Sequence, residues 1–188
     1  TQIKLIGIPK LDKEILKIRK RKKINKIGIA INQNDDLQKV ENLIVILIQN
    51  NFKVILRKHP GDSRKVASRF NIEDGNSMSV FDFLNLSDLL VASDSSIHVE
   101  ANSLHCRSVY FQFHKNSKVY DYYGFVKNKF IDEVEDATEL LKFIEGFEYK
   151  KFNFNSPEIV YYNEAIKFNF YGESNILAKK YIYEGINC

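Results

Sequence analysis

The chain has 188 residues, 44% of them hydrophobic and 28% charged, which is the composition of an ordinary globular protein. Its length suits one domain with an extension. No stretch of about eighteen residues is continuously apolar, so we predict no transmembrane helix. The two cysteines, Cys106 and Cys188, are too few for a disulfide framework, and we therefore expect a cytoplasmic protein.

The formal net charge of +4 is concentrated in one segment, residues 17–26, which holds seven of the 28 basic side chains and no acidic one. The rest of the chain carries 21 basic and 24 acidic side chains. A solvated linker is the simplest interpretation of this basic segment. Peripheral contact with the inner face of a membrane is the second. Nucleic-acid binding is not expected, because no aromatic residues interleave the cluster.

Short apolar runs and helical periodicity alternate along the chain. The first run predicts a strand over 3–8, and a short charged helix could follow over 12–21. Further apolar runs predict strands over 26–31, 52–56, 88–92, 108–111 and 130–131. Apolar residues at helical spacing predict helices over 37–47, 63–70, 96–104, 137–144 and 175–183. Residues 71–79 are rich in turn formers, and 80–86 fit either a helix or a strand.

This alternation of strand, polar loop and helix predicts right-handed βαβ crossovers. It therefore predicts an α/β fold with a Rossmann-like, doubly wound parallel sheet. We assign residues 26–146 to this nucleotide-binding domain, 1–25 to a linker, and the aromatic-rich residues 147–188 to a helical extension. Asp136, three residues before Glu139, should cap the helix over 137–144.

Open parallel sheets bind ligands beyond the carboxyl ends of their strands. The loops that directly follow predicted strands are 32–36, 58–63, 92–96 and 112–118. In the third of these, Ser93, Asp94, Ser95 and Ser96 end a strand and open a helix, where hydroxyls and free backbone amides favour a phosphate. Simple helix capping is the alternative explanation of the same residues.

His59-Pro60-Gly61 follows another strand, and an imidazole there can donate a hydrogen bond to a phosphate oxygen. A surface turn that contains a histidine is the alternative. No Gly-x-Gly-x-x-Gly or P-loop pattern is present, which argues against dinucleotide dehydrogenases and P-loop phosphotransferases. No Asp-x-Asp stands at a strand end, so we expect metal-independent chemistry without a cofactor. The pair Asp35-Asp36 is expected at a helix start from the helix dipole alone.

Four segments occur in an order that resembles one enzyme family. They are Gly7-Ile-Pro-Lys-Leu-Asp12, the strand and loop over 26–33, Arg57-Lys-His-Pro60, and Asp88-Leu-Leu-Val-Ala-Ser-Asp-Ser-Ser96 with Glu100 a turn later. Together they resemble the C-terminal, donor-binding half of GT-B glycosyltransferases. The resemblance is to bacterial sialyl- and polysialyltransferases, capsule-synthesis proteins and CDP-glycerol glycerophosphotransferases. At residues 104–107, Leu-His-Cys-Arg departs from the Gly-x-Pro turn of many relatives.

The resemblance implies a donor-binding set, namely Asn32, Gln33, Lys58, His59, Pro60, Ser93, Asp94, Ser95, Ser96 and Glu100. Within it, His59 would contact the donor nucleotide as the catalytic residue. Ser95 and Ser96 would bind the phosphates, and Glu100 the ribose. The implied donors are CMP-sialic acid, CMP-Kdo or CDP-glycerol, with a UDP-sugar as a further option.

The same resemblance implies a glycan or polyol-phosphate acceptor and a role in bacterial surface polysaccharide synthesis. GT-B enzymes bind the acceptor through an N-terminal domain, so this chain is expected to be an incomplete enzyme. Two alternatives stay open. One is a domain like that of the UDP-sugar 2-epimerases. The other is a non-catalytic nucleotide-binding or assembly module that docks through residues 17–26.

Overall fold

The computed structural model describes residues 3–14, 19–66, 70–114, 121–148 and 172–186. Six strands form one sheet in the order β3-β2-β1-β4-β5-β6, and every neighbouring pair is parallel. The strands are β1 (Lys26–Ile31), β2 (Lys53–Lys58), β3 (Glu73–Asp74), β4 (Leu89–Ala92), β5 (Arg107–Phe111) and β6 (Asp132–Val134). This order is that of a Rossmann-like sheet, so the predicted fold class is confirmed.

Helices cover both faces of the sheet. They are α1 (Leu37–Gln49), α2 (Val80–Leu86), α3 (Ile97–Ser103), α4 (Ala137–Glu145) and α5 (Ser174–Ile186), with a 3-10 turn at Pro9–Leu11. One core cluster joins the strands to α1 and α4, and a second joins them to α2 and α3. In β1, Ile27, Ile29 and Ile31 belong to the first cluster and Ala30 to the second. The continuous apolar run of β1 is therefore explained by burial on two faces.

The predicted strand over 3–8 is wrong. The described residues 3–8 pair with no strand, and Ile3 is 88% exposed. Of their apolar side chains, that of Ile8 packs against the cluster around Tyr110 and Phe125. Leu11 is buried in the 3-10 turn that follows. In the described part of the predicted charged helix over 12–21, residues 12 and 13 form a turn, residue 14 is in 3-10 conformation and residues 19–21 are irregular, so no α-helix is described there.

The basic segment is not a solvated linker throughout. Arg21 is 1% exposed, and its guanidinium donates to the carbonyl oxygens of Leu84 and Ser87 at the end of α2 and of Leu104 and His105 after α3. A cation at two helix C-termini satisfies carbonyls that the helices leave unpaired. Residues 17 and 18 lie outside the described part of the chain.

Other basic residues of the segment are also engaged. Arg19 pairs with Asp88 at 2.8 Å, and Lys26 pairs with Glu73 at 2.5 Å. Lys20, Lys22 and Lys23 are exposed. Part of the basic segment is therefore bound to the Rossmann-like domain by ion pairs, and only its remaining charges face solvent.

The predicted helix over 63–70 is wrong for its described residues 63–66, and 67–69 lie outside the described part. The cause is Asp62, whose Oδ1 accepts hydrogen bonds from the backbone N and Nε of Arg64. This local turn competes with a helix. The short strand β3 lies in the predicted break over 71–79. The last strand is at 132–134 and not at the predicted 130–131, since Phe130 and Ile131 are buried in an aromatic cluster instead.

The remaining elements agree with the sequence to within a few residues. Asp136 caps α4 by accepting from the N–H of Glu139, as predicted, at 2.9 Å. Asp12 accepts from the N–H groups of Ser174 and Asn175, so a distant residue caps α5. Within the described residues, no helix is long and apolar enough to cross a membrane.

Candidate functional site

The sheet order places a topological switch point between β1 and β4. The chain leaves β1 toward β2 on one side and leaves β4 toward β5 on the other. At such a point the two connections diverge and open a crevice at the carboxyl ends of the strands. The loops 32–36 and 93–96 border this crevice, and the loops after β2 and β5 flank it. Three of the four sequence-predicted loops are described in most of their length, and residues 115–118 of the fourth lie outside the described part.

Three residues, Asn32, Asp35 and Ser93, form what we call the floor of the crevice. Asp35 is 1% exposed, and its Oδ1 accepts from the Ser93 hydroxyl at 2.5 Å. Its Oδ2 accepts from the backbone N of Asn32 at 2.8 Å, and the Asn32 amide donates back to Ser93 Oγ at 3.2 Å. Burial raises the pKa of the Asp35 carboxyl. The floor thus joins the loops after β1 and β4.

The sequence predicts Asp35 only as a helix-start acid, and its place in the floor is visible only in the structure. The residue that caps α1 is Asp36, whose Oδ1 accepts from the N–H of Gln38. A helix needs only one acid as its cap, so the second acid of the pair Asp35-Asp36 is the feature of the sequence that could have indicated a further role.

Arg64 ties the loop after β2 to the floor, and the sequence analysis missed it as well. Its guanidinium donates to the carbonyl oxygens of Asn32 and Asp35, each at 2.6 Å. The same group pairs with Asp62 at 2.6 Å, and this hydrogen-bonded pair lowers the pKa of the Asp62 carboxyl to about 2. The loops after β1 and β2 are therefore held together by one arginine.

Five residues form what we call the rim, because they lie at the same edge and are exposed: Gln33, His59, Pro60, Gly61 and Ser96. The N–H of His59 donates to the carbonyl of Ile31 at 2.8 Å, and its Nδ1 accepts from the N–H of Gly61 at 3.2 Å. The Gln33 amide donates to the Gly61 carbonyl at 2.7 Å. His59 Nε2 is thus the ring atom that this turn leaves to face outward.

The loop 93–96 does not behave as a simple helix cap. Ser96 occupies the cap position of α3, yet within the described part of the chain its side chain makes no capping hydrogen bond. Ser95 Oγ accepts from the N–H of Ile97 only at 3.4 Å. The carboxylate of Asp94 accepts from the N–H of Tyr122 with both oxygens at 3.2 Å, and burial raises its pKa. The Ser96 hydroxyl is therefore exposed and uncommitted to capping.

Two histidines approach the floor. His114, after β5, has Nε2 3.6 Å from Asp35 Oδ1, and the backbones of the two residues form an isolated bridge. His98 is fully buried beneath the loop, with Nε2 3.0 Å from the Ser93 carbonyl, and burial lowers its pKa to about 4. His98 is therefore neutral at pH 7 and donates Nε2–H to that carbonyl.

Two predicted site residues lie away from the rim. Glu100 is 9% exposed and pairs with Lys10 of the N-terminal segment at 2.5 Å. The ammonium of Lys58 donates to the Arg64 carbonyl at 2.7 Å, so it supports the loop after β2. The predicted set therefore falls into four groups: the rim, the floor, the half-buried Asp94 and Ser95 of the loop 93–96, and these two residues, which contact other parts of the chain.

The rim offers hydrogen-bond donors to a ligand. The His59 imidazole and the Ser96 hydroxyl suit oxygen atoms of a phosphate, whereas the carboxylates of Asp35 and Asp94 are already hydrogen-bonded. Among the described residues, no group of three or more histidine, cysteine, aspartate or glutamate side chains is arranged to hold a metal ion.

No protein-family profile matches the sequence, and no curated protein matches it. Two solved structures of the wall teichoic acid polymerase TagF match with TM-scores of 0.56 and 0.52, at 14% and 16% sequence identity. They match 94% and 95% of this chain and 47% and 48% of theirs. The glycosyltransferase SnogD from Streptomyces nogalater matches 68% of this chain and 36% of its own, with a TM-score of 0.49 and 10% identity.

The chain thus spans about half the length of the TagF structures. At these identities the match concerns the fold, and it shows that this α/β, Rossmann-like sheet forms part of larger proteins. The TagF matches therefore support the predicted fold and assign no activity to this chain. Specificity for a sialyl donor or for capsule synthesis stays a prediction.

Proposed function

We propose that this chain binds the nucleotide of an activated donor in a glycosyl- or glycerophospho-transferase. The observation that carries the proposal is the exposed rim beside the switch point between β1 and β4, where His59 follows β2 and Ser96 follows β4 at the same edge of the parallel sheet. Both residues belong to the motifs that resemble GT-B donor sites. A switch point is where open α/β sheets bind their ligands.

The proposed donor is cytidine-activated, a CMP-sugar or CDP-glycerol. The two TagF matches extend over nearly the whole of this chain, and TagF is named as a wall teichoic acid polymerase. The His59-Pro60 and Ser95-Ser96 segments resemble those of CDP-glycerol glycerophosphotransferases. We therefore place the proposed reaction in bacterial surface-polymer synthesis, with a glycan or polyol phosphate as the acceptor.

The proposed chemistry is stabilisation of the departing nucleotide phosphate. His59 Nε2–H and the hydroxyls of Ser95 and Ser96 would donate to phosphate oxygens, whose negative charge rises as the bond to the transferred group breaks. The buried Asp35 would contact no substrate, and its hydrogen bond to Ser93 would keep the loop 93–96 in place. No metal ion takes part in this scheme. The general base is not assigned to a residue of this chain.

Calorimetric titration with CMP, CDP, UMP and UDP tests the proposal. His59→Ala and Ser96→Ala should each weaken nucleotide binding by about 10-fold, the effect of one lost hydrogen bond to a charged group. Ser77→Ala, at an exposed serine in the turn before α2, is the matched control and should bind as the wild type does. Chelation with EDTA should leave the affinity unchanged.

Absence of binding of every nucleotide at millimolar concentration would overturn the proposal. Preference for uridine over cytidine nucleotides would overturn only the assignment of the donor.

A further inference from the structure

A second exposed feature lies beside the loop 93–96. Tyr122 exposes 81% of its surface and Tyr123 exposes 42%. The backbone N–H of Tyr122 lies 3.2 Å from each carboxylate oxygen of Asp94. The backbone N–H of this exposed aromatic residue thus holds it at the edge of the candidate site.

The two tyrosines end a ladder of rings that begins under the same loop. The rings of Tyr122 and Tyr123 meet edge to face at 5.2 Å, and Tyr123 stacks on Phe125 at 5.0 Å with an interplanar angle of 14°. Phe125 is 3% exposed and contacts the ring of His98 at 5.9 Å. His98 in turn donates to the carbonyl of Ser93.

The row of rings therefore contacts the loop 93–96 at both of its ends. At one end His98 donates to the Ser93 carbonyl, and at the other the N–H of Tyr122 donates to the Asp94 carboxylate. The intervening turn is held by its own backbone contacts. The N–H of Gly124 donates to the Asp121 carbonyl, and the N–H of Lys127 donates to Asp121 Oδ2. Gly124 has φ 69°, which glycine adopts without strain. The backbone that carries the exposed rings is thus held in place before any ligand arrives, which lowers the entropy cost of binding.

The chemistry around the rings selects a neutral planar ligand. The carboxylates of Asp94 and Asp121 lie beside the tyrosines, and they disfavour a second phosphate there. Flat aromatic faces bind nucleobases by stacking, whatever the identity of the base. Of the parts of a nucleotide, the base is the one that matches this surface.

We propose that Tyr122, supported by Tyr123, is the stacking platform for the pyrimidine base of the donor nucleotide. The inference rests on the proposed function, since it assigns the base of the nucleotide whose phosphate meets the rim. It assigns a binding role to the loop after β5, whereas the other assigned contacts come from the loops after β1, β2 and β4.

The test compares CMP with ribose 5-phosphate, which has the same phosphate and sugar but no base. Tyr122→Ala and Tyr122→Leu should weaken CMP binding by about 10-fold, as expected for one lost base–aromatic stack. Both should leave ribose 5-phosphate binding unchanged. Tyr122→Phe, which retains the ring, should bind CMP within about 3-fold of the wild type. Tyr183→Ala removes another exposed tyrosine, on α5, and is the matched control.

Proton NMR gives a second readout. Stacking on Tyr122 should shift the H5 and H6 protons of the bound cytosine upfield, and the shift should persist in Tyr122→Phe and vanish in Tyr122→Leu. Unchanged CMP affinity in Tyr122→Ala and Tyr122→Leu, or an equal loss for CMP and ribose 5-phosphate, would overturn the platform while the proposed function stands. If the wild type binds no nucleotide, the proposed function fails, and the platform fails with it.

Discussion

The hydroxyl of Ser93 donates a hydrogen bond to Oδ1 of Asp35 across 2.5 Å, although 58 residues separate the two in the chain. Both side chains are buried, at 1% exposure each. The bond connects the loop after β1 to the loop after β4 at the switch point of the sheet. It is therefore a structural tie within the candidate site, and its removal should affect both folding and ligand binding.

Ser93→Ala should lower the free energy of unfolding by about 1–3 kcal/mol, because it leaves a buried carboxylate oxygen without its donor. The pKa of Asp35, already raised by burial, should rise further. Urea unfolding monitored by circular dichroism measures the loss. Ser63→Ala, at an exposed serine, is the control and should change stability by less than about 0.5 kcal/mol. Equal effects of the two substitutions would show that the tie contributes nothing.

Arg21→Met should lower the free energy of unfolding by about 3–5 kcal/mol. The buried guanidinium satisfies carbonyl oxygens at the ends of α2 and α3, and methionine fills the space without donating to them. Arg21→Lys should recover little, because an ammonium lacks the planar fork that reaches both helix ends. Chemical denaturation tests both variants. Lys22→Met, one residue along and exposed, should be neutral, and a comparable loss there would contradict the prediction.

His98 should make stability depend on pH. Its pKa is about 4 in the folded chain and 6.5 in the unfolded chain, so the unfolded chain binds more protons between these values. Stability should thus be complete above pH 6.5 and should decrease by up to about 3 kcal/mol as the pH falls to 4. His98→Gln keeps a donor for the Ser93 carbonyl but cannot titrate, so its unfolding free energy should vary less in this window. If the unfolding free energies of the wild type and His98→Gln changed equally with pH, His98 would not be the source of the pH dependence.

Gly28 and Gly185 should respond in opposite ways to alanine. A Cβ at Gly28 would lie 2.3 Å from Ser87 Oγ and 3.0 Å from Phe83 Cζ, where α2 packs on β1. Gly28→Ala should therefore destabilise the fold by about 1–3 kcal/mol. A Cβ at Gly185, in α5, would meet nothing within 4 Å, and Gly185→Ala should stabilise that helix by up to about 1 kcal/mol. Thermal melts measure both, and destabilisation by Gly185→Ala would be the contrary result.

The sequence was sufficient to predict the fold class, the four central strands of the sheet and the polar loops that follow them. Residues 26–31 and 88–92 read as strands because side chains buried on both faces leave a continuous apolar run. Helix α1 follows from apolar residues at helical spacing, and Asp136 was found as a cap because capping is local. The loops after the strands are also predictable from local sequence, because each loop begins where an apolar run ends. His59 and Ser96 were named on that basis, and both lie on the rim.

The tertiary structure decided which polar residues meet. Asp35, Arg64 and Arg21 were overlooked because their partners lie far along the chain, and local periodicity carries no information on the order of strands in a sheet. That order brings the loops after β1 and β4 together and lets Ser93 reach Asp35. It also brings the ends of α2 and α3 onto Arg21, so a residue that looks solvated in the sequence is buried. Composition and spacing thus determined the elements, whereas the crossovers between strands determined the site.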